Sequence, residues 1–168
     1  VIAGGFVAVL VPFIFKSFIL PLVLGILFAI VTYIPHKTGK LMYWFQDPEN
    51  YYEVNFCIMW GLLITLGWII FNDPIIAIIP VLFMSFGDAI TGFVRNLMFK
   101  RRTKSWWGNL AMGIVSIPIG SIIGIAGIIA AIVSSIIEHF EFKYIDDNIT
   151  IPIVSFIIIY LIKNIIIF

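Results

Sequence analysis

Long apolar stretches separated by short polar segments make up most of the chain. The stretches run 1–15, 18–34, 54–71, 74–94, 110–137 and 149–168. A bilayer core about 30 Å thick needs roughly 20 helical residues. The second, third, fourth and sixth stretches therefore each predict one membrane-spanning helix. The first is shorter, as expected of a helix that continues upstream of Val1, and the turn at Lys16-Ser17 predicts that the first two helices form a hairpin.

The fifth stretch is too long for one simple span. A single helix over 110–137 would be about 42 Å long. The stretch also contains Pro118, which interrupts helical hydrogen bonding, followed by Gly120. We expect two shorter helices, at 110–117 and 121–137, that form a bent or re-entrant pair broken near Pro118. A single tilted, kinked span is the alternative.

Composition supports the membrane interpretation. Hydrophobic residues make up 62% of the chain and charged residues 11%, whereas about 25% of residues are charged in soluble domains. A soluble core of this size could not bury so much apolar surface, which excludes a soluble enzyme, a disordered chain and a nucleic-acid-binding module. We predict an all-α, polytopic integral membrane protein with a single domain, 1–168, and five to seven spanning or half-spanning helices.

The few charged residues fall into three clusters. The first is Asp88, which follows Gly87 deep inside the fourth stretch. An ionised carboxylate at membrane depth is costly unless it is paired or metal-bound. Asp88 is therefore a candidate metal or proton site, and a packing carboxylate paired with an arginine is the alternative.

The second cluster is a basic loop rich in hydrogen-bond donors. Its members are Arg95, Lys100, Arg101, Arg102, Lys104, Ser105, Gly108 and Asn109. Such a set suits a polyphosphate or a lipid phosphate. The alternative is a positively charged anchor with Trp106 and Trp107 at the membrane interface. Either way, the positive-inside rule places this loop on the cytoplasmic side.

The third cluster is acidic and comprises Glu138, Asp146, Asp147 and Asn148. Successive hard oxygen ligands suit Mg²⁺, and a solvated loop is the alternative. If the fifth stretch doubles back, all three clusters meet at one membrane face, with Asp88 and Asp147 within roughly 10 Å of each other. The other polar residues predict less: His36 and His139 are isolated, and Glu53 and Asp73 are expected to be hydrated helix caps.

Taken in order, the three clusters over roughly 84–152 resemble the family of dolichol kinase, phytol kinase and the related phosphatidate cytidylyltransferases. Gly87-Asp88 is similar to the family's Gly-Asp pair in a membrane helix, and residues 104–108 to its Lys-Thr-x-Glu-Gly motif. Glu138 and the run Asp147-Asn148-Ile149-Thr150-Ile151-Pro152 are similar to its last elements. Ser105 stands where the family has Thr, and Trp107 stands where it has Glu. Arg95 stands where the family has a Gly. The family's N-terminal Arg-Lys-x-x-His element would precede Val1, so the chain resembles a divergent, N-terminally truncated branch.

The resemblance implies a CTP-dependent kinase that phosphorylates a long-chain isoprenoid alcohol, with Mg²⁺ as cofactor. It also implies an active site on the cytoplasmic face of a prokaryotic plasma membrane or an ER-type membrane. The catalytic residues would be Asp88, Glu138 and Lys104. The metal ligands would be Asp88, Asp146, Asp147 and Asn148, and the phosphate-binding residues would be Gly87 and the second cluster.

Two other functions remain open at this stage. A cytidylyltransferase would use the same kind of Mg²⁺–triphosphate site to make a CDP-activated lipid from CTP and a lipid phosphate. A small anion transporter is disfavoured, because such a protein places polar groups along a path at mid-depth, whereas the charges here cluster towards one face.

Overall fold

Helices are the only regular secondary structure in the parts of the chain that the computed structural model describes, which are residues 1–43, 45–100, 104–140 and 146–166. A π-helical segment, Phe83–Gly87, joins two of the α-helices without a break. The α-helices are α1 (Ile2–Ile14), α2 (Ile19–Thr38), α3 (Tyr52–Phe71), α4 (Pro74–Leu82), α5 (Asp88–Phe99), α6 (Trp106–Ser121), α7 (Ile125–Ile137) and α8 (Asp147–Ile166).

Four helical segments are long and apolar enough to cross a membrane. They are Ile19–Thr38, Tyr52–Phe71, Pro74–Phe99 and Asp147–Ile165. They correspond to the four stretches predicted to span, although the third segment continues past the predicted end at residue 94. Many of their large aliphatic side chains are exposed, as expected of surfaces that contact lipid. The helices α1 and α7 are apolar but shorter.

The helices α1 and α2, predicted to form a hairpin, pack mainly against other helices and not against each other. The helix α1 packs mainly against α4 and the π-helical segment, whereas α2 packs against α3. The reason lies in two glycines: a Cβ on Gly25 would collide with the backbone of Gly61, and the reverse also holds. Two helices that approach this closely exclude a third helix from the same face.

A helical irregularity lies directly before Asp88. Pro80 lies near the end of α4 and has no backbone N–H to donate. The π-helical segment follows within three residues and ends at Gly87. Thr91 Oγ1 donates a hydrogen bond to the Gly87 carbonyl oxygen at 2.9 Å. Single π-helical turns within α-helices occur frequently at functional sites, and this one sets the orientation of Asp88.

The fifth stretch forms two helices, as predicted, but the break lies a few residues later than expected. Pro118 is inside α6, which continues to Ser121. The chain reverses at 122–124, where Gly124 has a φ of 78°. Proline removes only one helical hydrogen bond, whereas the reversal requires a left-handed residue that glycine provides without strain. The predicted boundaries of 117 and 121 were therefore wrong.

The packing of α6 on α7 brings their distant ends together. Gly120 and Gly127 lie backbone to backbone, so closely that a Cβ on either would overlap the other's carbonyl group. At 1.5 Å per residue, α6 and α7 are each shorter than the roughly 30 Å bilayer core. The residue before α6 and the residue after α7 consequently lie at the same end of the pair, as the doubled-back interpretation predicted.

We predict that Gly127→Ala destabilises the protein, by about 1–3 kcal/mol, because the added methyl group forces α6 and α7 apart. The matched control is Gly113→Ala, also between α6 and α7. There the new Cβ would meet only the side chain of Ser135, at 3.7 Å, and stability should be unchanged or slightly higher. Thermal unfolding of both variants in detergent measures the difference. Equal stability of the two variants would contradict the close crossing.

Candidate metal and phosphate site

Carboxylates from three helices converge at one point. Asp88 is the first residue of α5, Glu138 follows the last residue of α7, and Asp147 is the first residue of α8. One carboxylate oxygen from each lies within 4.8 Å of those of the other two. The expectation that Asp88 and Asp147 lie within roughly 10 Å is therefore confirmed. These three residues could hold a metal ion together.

Two cations, the buried Arg95 and the partly buried Lys104, neutralise most of this negative charge. Lys104 Nζ donates hydrogen bonds to Glu138 Oε1 at 3.0 Å and to Asp147 Oδ2 at 2.7 Å. Arg95 Nη1 lies 3.4 Å from Glu138 Oε1, and Arg95 Nη2 lies 4.0 Å from Asp88 Oδ1. Among the described residues, three carboxylates thus face two cations. A bound cation would offset the negative charge that these two leave unpaired.

Two buried oxygens at the site lack a hydrogen-bond partner. They are Glu138 Oε2 and Asn148 Oδ1. Glu138 is fully buried, and this burial raises the pKa of its carboxyl group, while Lys104 and Arg95 act to lower it. Buried acceptors without a donor are rare and costly. Grouped carboxylates together with spare side-chain oxygens form a set of ligands that fits Mg²⁺.

Asp146 was predicted to be a metal ligand, but in the structure its carboxylate oxygens accept hydrogen bonds from within the protein. Its Oδ1 accepts the backbone N–H of Asn148 at 3.3 Å, which caps the start of α8. Its Oδ2 accepts hydrogen bonds from Asn148 Nδ2 at 3.0 Å and Asn55 Nδ2 at 3.5 Å. Burial raises the pKa of Asp146, and these amide donors act to lower it. Asp146 positions Asn148 and the first turn of α8, and it lines the cavity described below.

The first turn of α3 supports the site, which the sequence analysis did not anticipate. Asn55 Nδ2 contacts Asp146, and the carbonyl oxygen of Tyr52 accepts a hydrogen bond from Asn148 Nδ2 at 3.3 Å. An asparagine at the start of an otherwise apolar stretch is the only signal in the sequence for this role. Its partner lies 91 positions away in the chain, so periodicity could not have identified it.

A cavity of about 620 Å³ opens beside the carboxylates. It is lined by the start of α8, the side chain of Tyr52 and one face of α5, which contributes Asp88, Gly92, Asn96 and Lys100. A Cβ on Gly92 would have nothing within 4 Å. Because packing does not require glycine at this helical position, the missing side chain serves to leave the cavity open.

Several residues predicted to bind phosphate have structural roles instead. Ser105 Oγ caps α6 by accepting the Gly108 N–H at 3.2 Å. Gly108 packs against Thr91, and Gly87 packs against Met112 and Ser116. The structure places none of these side chains or backbone donors on the cavity wall. Arg101 and Arg102 lie outside the described residues, whereas Arg95 and Lys100 do line the cavity.

Asn109 also lies away from the cavity. Its Nδ2 donates a hydrogen bond to the carbonyl oxygen of Ser135 at 2.5 Å, which ties α6 to α7. The residue lines a separate groove between these two helices. One of its two amide N–H groups is thus used within the protein.

Glu53 is not the hydrated cap that was predicted. Its Oε1 lies 2.5 Å from His36 Nε2 and accepts a hydrogen bond from Gln46 Nε2 at 2.9 Å. Both side chains of the His36–Glu53 pair are nearly buried, at 3% and 11% exposure. Since Glu53 and Asn55 share the first turn of α3, this pair anchors the turn that supports Asp146. The prediction for Asp73 is confirmed, because its carboxylate accepts the N–H of Ile75 at the start of α4.

Comparisons with protein-family models, with curated proteins and with solved structures find no match to this chain. The chemistry of the site must therefore be argued from its own residues. A carboxylate cluster with spare oxygens, next to a cavity lined by Arg95 and Lys100, can hold a divalent cation and a phosphate group side by side.

We predict that Lys104→Met destabilises the protein in the absence of divalent cations. Glu138 and Asp147 would lose their shared cation, and removing one partner of a buried ion pair costs about 3–5 kcal/mol. Millimolar Mg²⁺ should restore part of the loss by taking the place of the ammonium group. Thermal unfolding with EDTA and with Mg²⁺ measures both effects. The control is the exposed Lys40→Met, which should change neither value; a Lys104→Met variant as stable as wild type in EDTA would contradict the account.

Proposed function

We propose that this protein is a polytopic integral membrane enzyme, a CTP-dependent kinase that phosphorylates a long-chain isoprenoid alcohol at the cytoplasmic face. The observation that carries the proposal is the convergence of Asp88, Glu138 and Asp147 with Lys104 and Arg95 beside one open cavity. Lys104, Glu138 and Asp147 lie at or next to helix ends, and Asp88 and Arg95 lie within the segment Pro74–Phe99, in a chain with four helices suited to cross a membrane. A polar substrate and a lipid could therefore meet there.

The order of the clusters along the chain adds to this support. The Gly-Asp pair, the basic loop, the glutamate and the Asp-Asn run follow one another as in the dolichol kinase-like family that the sequence resembles. Asp88 of the first element, Arg95 and Lys104 of the second, and Glu138 and Asp147 of the last two contribute to one site. In the proposed enzyme, Asp88 and Asp147, with Asn148 Oδ1, would hold Mg²⁺. Bound there, the ion supplies neutralising charge for the triphosphate.

The remaining residues position and neutralise the substrates. Phosphoryl transfer depends mostly on positioning and on charge neutralisation. Arg95 and Lys100 line the cavity and would donate to the non-bridging phosphate oxygens. Lys104, now held between two carboxylates, would turn one of its N–H donors to the same oxygens. Glu138 Oε2, which has no partner, would accept the proton of the lipid hydroxyl and orient it for attack.

The proposal is tested by following the α-phosphate and the γ-phosphate of CTP separately. Purified protein in lipid nanodiscs receives CTP labelled at the α- or γ-phosphate, with an isoprenoid alcohol and, separately, a lipid phosphate. A kinase transfers the γ-label to the alcohol and releases CDP. Transfer of the α-label to the lipid phosphate with release of pyrophosphate would identify a cytidylyltransferase, and no transfer in either mixture would refute both activities.

We predict that Asp88→Asn reduces turnover by at least about 100-fold, a loss of the size seen when one charge-stabilising group is removed from an active site. Folding should be nearly unaffected, because asparagine has nearly the same shape as aspartate and Arg95 keeps its contact with Glu138. The matched control is Asp73→Asn, at the cap that precedes the same continuous helix, where asparagine also caps well. Activity and thermal stability are measured on the same preparation. Normal CTP-dependent activity of Asp88→Asn would place the site elsewhere.

We predict that Gly92→Leu raises the KM for CTP by about tenfold or more, because the side chain projects into open space within the cavity. Gly92→Ala is the matched variant. It should stabilise α5 by up to about 1 kcal/mol and change KM much less. Steady-state kinetics and thermal unfolding separate the two effects. An unchanged KM in the leucine variant would show that the nucleotide does not occupy this part of the cavity.

A further inference from the structure

A second compartment lies between α6 and α7. It is a groove of about 550 Å³ whose walls are apolar side chains, including Leu110, Ile114 and Ile117 of α6 and Ile132 and Ile136 of α7. Most of these side chains are well exposed, so the groove opens to the surroundings of the helix pair. No charged residue lines it in the described part of the chain. Its chemistry suits a hydrocarbon chain.

Gly113 shapes this groove. Glycine weakens a helix relative to alanine, so a glycine in the middle of α6 needs a reason. Close helix packing explains Gly120, but a Cβ on Gly113 would make only an ordinary 3.7 Å contact with Ser135. The missing side chain instead deepens the groove.

One end of the groove is polar and offers acceptors. Asn109 is 5% exposed, its Nδ2 is bonded to the Ser135 carbonyl oxygen, and its Oδ1 is buried without a partner. Ser135 Oγ, which also belongs to a lining residue, donates its only O–H to the carbonyl oxygen of Ile132 at 2.8 Å. Ser135 has committed its only O–H within the protein, whereas Asn109 Nδ2 has used one of its two N–H groups. Because Asn109 Oδ1 is buried, the acceptor open to a ligand is Ser135 Oγ.

We infer that the α6–α7 groove binds the apolar chain of a lipid alcohol and that its hydroxyl donates to Ser135 Oγ at the polar end. The inference rests on the proposed kinase function, whose acceptor substrate is such an alcohol. A lipid phosphate fits poorly, because it needs cationic donors and the described lining contributes none. Trp106 and Trp107, both exposed at the same end, mark the level at which lipid head groups lie.

The polar end of the groove adjoins the wall of the carboxylate site. Gly108, next to Asn109, packs against the side chains of Thr91 and Arg95. Glu138 follows Ser135 by three residues, about 4.5 Å along a helix axis. A hydroxyl held at Ser135 is thus about one helical turn from Glu138, to which it would move before giving up its proton. The groove would deliver the alcohol to the site from within the bilayer.

The test uses three ligands that share one isoprenoid chain: the alcohol, its methyl ether and its monophosphate. Binding of each is measured to protein in phospholipid nanodiscs without CTP, and a diazirine derivative of the alcohol maps the contacts. We expect cross-links on the groove walls and roughly tenfold weaker binding of the ether, since it lacks one hydrogen-bond donor. The monophosphate should also bind more weakly than the alcohol.

Protein variants complete the test. Gly113→Leu fills the groove and should weaken alcohol binding about tenfold, whereas Gly113→Ala should fold normally and weaken it less. Ala3→Leu adds the same bulk at an exposed position of α1 and should bind like wild type. Cross-links spread evenly over the exposed faces of α1, α2 and the groove would mean general lipid contact only. That result, or ether or phosphate binding as tight as the alcohol, would overturn the inference.

The experiments distinguish failure of the groove inference from failure of the kinase proposal. If the alcohol binds the groove as described but CTP yields no phosphorylated product, the kinase proposal fails and the lipid site stands. If Gly113→Leu folds and phosphorylates the alcohol with an unchanged lipid KM, the groove inference fails and the kinase proposal stands.

Discussion

The pairing of Lys104 with Glu138 and Asp147 is the interaction on which the rest of the structure depends. Three carboxylates in a largely apolar helical protein would repel one another and lose hydration, so they require nearby cations. Lys104 bonds two of them, and Arg95 lies between the third and Glu138. These contacts join the starts of α5, α6 and α8 to the end of α7. The fold at this end of the molecule is therefore organised around charge neutralisation, and the same groups form the candidate site.

Two backbone features make this pairing possible. The reversal at Gly124 and the close crossing of Gly120 and Gly127 return α7 to the end from which α6 started. The π-helical segment before Asp88 sets the direction in which α5 presents its carboxylate. Neither feature contributes a reactive or ligand-binding side chain. Each places side chains from distant parts of the chain within hydrogen-bonding reach, while glycine at the crossing removes the side chains that would otherwise keep the helices apart.

The sequence predicts the features that depend on local pattern. Length and hydrophobicity were enough for the four long apolar helices and for a broken fifth stretch, and the scarcity of charge pointed to Asp88, Glu138 and Asp147. Features that depend on distant partners were missed or misjudged. Glu53 was expected to be hydrated because it lies at a helix end, but its partner His36 comes from another helix. The capping role of Asp146 depends on where α8 begins, and the support from Asn55 depends on the packing of α3 against α8. The break was placed at Pro118 because proline is the stronger local signal, whereas reversal required the positive φ of Gly124.

The central claim is that the carboxylate cluster binds a divalent cation together with a nucleotide phosphate. Anomalous scattering from crystals grown with Mn²⁺ and a non-hydrolysable CTP analogue tests it most directly. The account predicts a Mn²⁺ peak within coordination distance of the Asp88 and Asp147 carboxylates, the triphosphate against Arg95 and Lys100, and Lys104 moved towards the phosphate oxygens. A nucleotide bound elsewhere, or a cluster without metal in which Lys104 still bridges Glu138 and Asp147, would contradict it.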